Sequence, residues 1–121
     1  MSKLILHLDD EPAIRDIIAA TLAGQGFRVR SVQSPSEALH AAQEERPDVF
    51  ISDLQLDEGD GFETIEQMRA LHPGLRIIIL TGVLIDPRVA AKSITHEGDV
   101  YLTKTGTLAK IVEEVRRLAG A

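Results

Sequence analysis

Five times along the chain, a short apolar run is followed by a longer segment whose apolar residues recur at helical spacing. Leu4 to Leu8 is the first run. Pro12 then suits an opening helical position, and Ile14, Ile17, Ile18 and Leu22 fall on one helical period until Gly24 and Gly26 stop it. Phe27 to Arg30 reads as a short alternating strand. Ser34-Pro35-Ser36-Glu37 is a capping box that predicts a helix running to about Arg46. Asp48 to Ile51 is a third strand, and Phe62, Ile65, Met68 and Leu71 mark a helix ended by Pro73-Gly74. Ile77 to Leu80 is apolar on both faces, as the middle of a parallel sheet requires. A weaker, alanine-rich helix is predicted from Pro87 to about His96, then a strand over Val100 to Leu102. Leu108, Ile111, Val112, Val115 and Leu118 form the clearest amphipathic helix in the chain. Strands alternating with helices of this length leave one economical solution. It is a (βα)5 fold of the α/β class, a doubly wound parallel sheet with helices on both faces.

Bulk properties narrow the function. The 121 residues fit one compact domain, so residues 1–121 are read as a single domain. A formal net charge of −6 repels phosphate backbones, and 3% aromatics leave few platforms for stacking bases, so direct nucleic-acid binding is not expected. Cysteine is absent, which excludes disulfides, thiolate zinc sites and thiol nucleophiles. Acids at Asp9, Asp10 and Glu11 arrive too early for a signal peptide, and no apolar run approaches the roughly 20 residues of a membrane span. A cytoplasmic protein without a membrane partner is the expectation.

In a doubly wound sheet, ligands sit outside the carboxyl ends of the strands. The residues at those ends are Asp9-Asp10 after the first strand, Asp53 after the third, Thr81 after the fourth and Lys104 after the fifth. Three carboxylates and an ammonium on one rim are a chemical statement. Carboxylates packed together repel one another unless a cation joins them, and a hard divalent ion such as Mg2+ takes carboxylates together with a phosphate. A metal-bound carboxylate, a hydroxyl and a lysine around one pocket match the needs of phosphoryl transfer.

At these residues the chain resembles the receiver domains of two-component response regulators, the chemotaxis regulators among them. The resemblance covers essentially the whole length. It rests on Asp9-Asp10-Glu11-Pro12, on Asp53 with Gly59-Asp60-Gly61 downstream, on Thr81-Gly82, and on Tyr101-Leu102-Thr103-Lys104. It implies a flavodoxin-like sheet of strand order 2-1-3-4-5. It also implies that Asp53 is the nucleophile that becomes an aspartyl phosphate. Asp10 and Asp53 would bind Mg2+ directly, Asp9 through water, and the Gln55 carbonyl would complete the shell. Lys104 would pair with a phosphoryl oxygen. Thr81 would hydrogen-bond another, and Tyr101 would turn between outward and inward positions as part of the switch. The implied partners are a sensor histidine kinase or a histidine phosphotransfer protein upstream, and a protein target or fused effector domain downstream. Catalysis would be confined to the domain's own phosphorylation and dephosphorylation, so a turnover enzyme is not expected.

Three positions depart from the family pattern. Asp57 stands where a proline is usual, and with Glu58 and Asp60 it makes an unusually acidic loop. Thr105 stands where a cis proline is usual; a cis bond there costs roughly 3 kcal/mol, so a trans bond with a shifted Lys104, or a strained turn, is expected. Gly98 falls one residue late. These departures keep open a second reading, a phosphate-independent receiver-like binding module. A phosphatase with an aspartate nucleophile is a third, but it usually needs an acid where Gln55 stands. Outside the rim, His7 reads as a hydrogen-bonded core histidine, and Val83-Leu84-Ile85 as loop packing or a docking patch beside the face that carries Tyr101.

Overall fold

The computed structural model describes residues 3–53, 61–81, 100–103 and 108–120, with the description of residues 61, 62, 81, 101 and 103 limited to the backbone. The elements are β1 (Leu4–Leu8), α1 (Pro12–Gly24), β2 (Arg28–Val32), α2 (Pro35–Glu44), β3 (Val49–Ser52), α3 (Gly61–Leu71), β4 (Arg76–Thr81), β5 (Val100–Thr103) and α4 (Leu108–Ala119). The sheet is parallel throughout and runs β2-β1-β3-β4-β5, the doubly wound order. The helix expected over 87–96 lies outside the described residues, as do the triplet at 83–85, Asp57, Gly98 and Thr105.

Strand alternation divides the core into two layers. Leu6 and Leu8 of β1, Phe50 of β3 and Ile77 and Ile79 of β4 point one way, onto Ala38, Ala41 and Ala42 of α2 and Ile65 and Met68 of α3. Ile5, Val49, Ile51, Ile78 and Leu80 point the other way, onto Ile18 and Leu22 of α1 and Ile111, Val115 and Leu118 of α4. Both faces of β1, β3 and β4 are therefore buried. That is why these strands read as continuous apolar runs.

Local chemistry sets the element ends. Ser34 caps α2 by accepting the Glu37 N–H at 3.3 Å, while the Glu37 carboxylate reaches back to the Gln33 N–H at 2.9 Å. The helix stops at Glu44, two residues short of the expected end, because Pro47 disfavours helical backbone before it and Glu45 is already extended. β2 starts and ends later than expected. Phe27 still donates its N–H to the Leu22 carbonyl of α1, and the ladder to β1 opens only at Arg28 and continues to Val32. The turn between α1 and β2 passes through Gly26 at φ 93°, a conformation that a side chain disfavours. β3 is shifted by one residue, since Asp48 serves the strand start instead. Its carboxylate accepts the Leu4 N–H at 2.8 Å.

Candidate functional site

β1 and β3 are hydrogen-bonded neighbours in register, with His7 opposite Ile51 and Leu8 opposite Ser52. One step further, the two chains leave the sheet together, and the Asp53 N–H donates to the Leu8 carbonyl at 3.2 Å. Asp9 and Asp53 thus emerge side by side on the α1/α4 face, two residues past His7 and Ile51. The fold builds the acid pair simply by aligning two strands whose apolar runs end in acids.

Asp9 is fully buried and Asp53 nearly so, at 2% exposure, whereas Asp10 is half-buried and Glu11 exposed. One carboxylate oxygen from each of Asp9, Asp10, Glu11 and Asp53 comes within 4.8 Å of the others. The loop that holds them is tied from several sides. Asp9 Oδ1 accepts the Glu11 N–H at 2.9 Å, which turns the chain into α1. Arg15, one turn into α1, donates to the Asp9 carbonyl at 3.0 Å, and the Asp9 N–H donates to Val32 of β2 at 3.1 Å. On β3, the Ser52 hydroxyl donates to the Asp53 carbonyl at 3.1 Å. Four like-charged oxygens held this close by a rigid frame suit a hard cation. The donor set is all oxygen and fits such an ion.

The structure brings together Asp9, Asp10 and Asp53, as the strand-end rule requires. It adds Glu11, which the sequence reading quoted in the motif without giving it a ligand's place. The signal was present: a short acid turn that folds back on Asp9 carries its third acid along. Arg15 was missed because its contact runs through its guanidinium to a backbone carbonyl, which no spacing rule reports. Thr81 closes β4 opposite Thr103 of β5, and Tyr101 lies two residues earlier on the edge strand β5, opposite Ile79. Gln55 and Lys104 lie outside the described residues; Lys104 follows Thr103 directly in the chain.

A family model, the response regulator receiver domain, matches residues 5–116. The chain belongs to that family. Receiver domains are signalling domains and not classical enzymes. The probable transcriptional regulatory protein TcrX of Mycobacterium tuberculosis is 30% identical over 115 residues, covering 94% of this chain and 48% of that protein. Response regulator MprA of Mycobacterium ulcerans is 31% identical over 119 residues, covering 98% of this chain and 50% of that protein. The receiver therefore spans about half the length of these curated relatives. A CheY-like receiver domain protein from Methanospirillum hungatei JF-1 shares the fold at TM-score 0.89 and 24% identity, covering 99% of this chain and 95% of its own. A response regulator protein from Burkholderia pseudomallei, crystallised with a phosphorylated aspartic acid, a calcium ion and citrate, superposes at TM-score 0.85 with 28% identity. That match covers 98% of this chain and 69% of the other. Among the described residues of the receiver, no helix is long and apolar enough to cross a membrane.

Proposed function

We propose that residues 1–121 form one phosphorylation-controlled signalling receiver, in which Asp53 takes a phosphoryl group from a histidine kinase or a histidine phosphotransfer protein. The observation that carries this reading is the convergence of Asp9, Asp10, Glu11 and Asp53 within 4.8 Å at the carboxyl ends of β1 and β3. Asp53 is the best-placed nucleophile. It directly follows the central strand β3, its N–H bonded to the Leu8 carbonyl of β1 and its carbonyl accepting the Ser52 hydroxyl, so its carboxylate presents from a fixed base. A carboxylate oxygen of Asp53 forms the new bond to phosphorus as the phosphorus–nitrogen bond of phosphohistidine breaks and the imidazole leaves. Asp10 and Asp53 would bind Mg2+ directly, Asp9 would act through water and the Gln55 carbonyl would complete the shell; the ion, when bound, would supply positive charge to the phosphoryl oxygens. Lys104 balances a further oxygen, and Thr81 holds another. Phosphorylation then biases a protein-binding surface that includes Tyr101, and the output passes to a protein target or fused effector domain.

Intact-mass measurement after exposure to acetyl phosphate and Mg2+ tests this directly. One added phosphoryl is expected in the wild type and none in Asp53→Asn, a loss of more than about 100-fold in label, since the nucleophile itself is removed. Label that persists in Asp53→Asn rejects the assignment. An unlabelled wild type with metal present favours a phosphate-independent binding module instead.

A further inference from the structure

His7 sits in the middle of β1 and is fully buried. Strand alternation places it on the same face as Ile5, and its register partner Ile51 points the same way, into the aliphatic layer beneath α1 and α4. An aliphatic side chain would fill that layer without any polar demand. An imidazole brings two ring nitrogens into it, and burying them is costly unless a polar group receives them. The same alternation puts Asp9, two residues on, directly above. His7 Nε2 lies 3.9 Å from Asp9 Oδ2, with both side chains shielded from solvent.

The two Asp9 oxygens therefore have different neighbours. Oδ1 is engaged by the Glu11 N–H, and Oδ2 looks down on the imidazole. Among the described residues, the group whose ligand atoms lie within 4.8 Å of one another is Asp9, Asp10, Glu11 and Asp53, without His7. Its distance from Oδ2 is somewhat beyond the ~3.2 Å limit of an ordinary N–H···O bond, but close enough for an oriented N–H dipole to act on the carboxylate in a water-free setting. Groups that sit behind a metal ligand in this way fix its orientation and its basicity.

We propose that His7 is a positioning residue for the cation site: its imidazole, with the Nε2 proton directed at Asp9 Oδ2, holds the Asp9 carboxylate facing the other acids. The role rests on the proposed metal-dependent receiver function, and it raises cation affinity by acting through Asp9.

The test measures Mg2+ binding by calorimetry on the intact chain, without any phosphodonor, alongside melting in chelator. His7→Leu keeps the volume and removes the dipole; His7→Gln keeps a buried N–H donor. His7→Leu is expected to fold, to melt no lower than the wild type in chelator, and to bind Mg2+ about tenfold more weakly. His7→Gln is expected to recover part of that loss. A folded His7→Leu with wild-type affinity overturns the proposal and leaves His7 as core packing. Nitrogen-15 NMR of the wild-type imidazole decides independently of any variant. Expected is the Nε2-protonated tautomer, with ring resonances that move on saturation with Mg2+; a ring protonated on Nδ1, or one indifferent to the metal, overturns it. A wild type that binds no Mg2+ removes the metal site itself and the role of His7 with it, an outcome distinct from the loss of His7's role alone.

Discussion

Two groups of carboxylates in this molecule are arranged on opposite principles. Along the flank, Glu44 and Glu45 near the end of α2 face Arg30 and Arg28 of β2, and His40 joins Glu44 at 2.7 Å. On α4, Glu114 sits between Lys110 at 3.3 Å and Arg117 at 2.7 Å. At the rim, Asp9, Asp10, Glu11 and Asp53 are instead gathered against one another. Opposite charges side by side serve the fold. Like charges side by side cost the fold something, and on the proposed function that cost is offset by a cation that arrives from outside.

The largest effect expected from this contrast is on the response to metal. Mg2+ at tenfold above its Kd should stabilise the wild type by roughly 1.4 kcal/mol, since it binds the folded state alone. Thermal melts with and without the ion measure this. A melting temperature unmoved at a concentration where calorimetry shows the site filled would break the contrast.

Next in size is the sign of a neutralising substitution at the rim. In chelator, Asp10→Asn should raise stability by about 1 kcal/mol, because it removes one member of a crowded like-charge set. The same variant should lose most of the stabilisation by Mg2+. Urea unfolding in both conditions reads the two signs, and a destabilised Asp10→Asn in chelator would show that the rim acids are held mainly by partners within the fold.

Smallest, and opposite in sign, is Glu114→Gln, expected to cost up to about 1 kcal/mol at neutral pH. The hydrogen bond from Arg117, assisted by Lys110, holds the Glu114 carboxyl below the usual carboxylate range against the opposing effect of burial. A group with a lowered folded-state pKa contributes stability above its unfolded pKa and loses that contribution as the pH falls through the folded one. The difference between variant and wild type should therefore be full at neutral pH and close as the solution is acidified past the ordinary glutamate range. A difference that stays constant with pH would mean that Glu114 acts by packing and not by charge.

Much of this design was legible in the chain. β1, β3 and β4 are buried on both faces, so Leu4–Leu8, Val49–Ser52 and Arg76–Thr81 announced themselves as apolar runs within a residue of their true ends. Asp9, Asp10 and Asp53 followed from those ends by the topology of a parallel sheet alone. The edge strand was harder. Arg28 and Ser31 of β2 are exposed, so its limits depend on which backbone groups reach β1, and that is a pairing property the local sequence does not carry. Glu11 and Arg15 were missed for a related reason, because a turn and a long side chain bring them to Asp9. His7 was correctly read as buried, but what it faces depends on the i, i+2 relation to Asp9, which gains meaning only once Asp9 belongs to a site. His72 is half-buried and its Nε2 meets the Ala42 carbonyl at 2.8 Å, a contact from the end of α3 to α2 that no local pattern reports.

The arginine–glutamate pairs on β2 have one more consequence. β2 ends the sheet on its side, and an edge strand offers unpaired backbone groups to any other strand that drifts near. Arg28 and Arg30, tethered to Glu45 and Glu44, dress that edge with fixed charge that an approaching apolar strand would have to strip of water. The edge is thereby guarded against strand addition from a second molecule. A strand from a second molecule would have to displace those pairs before it could add to β2.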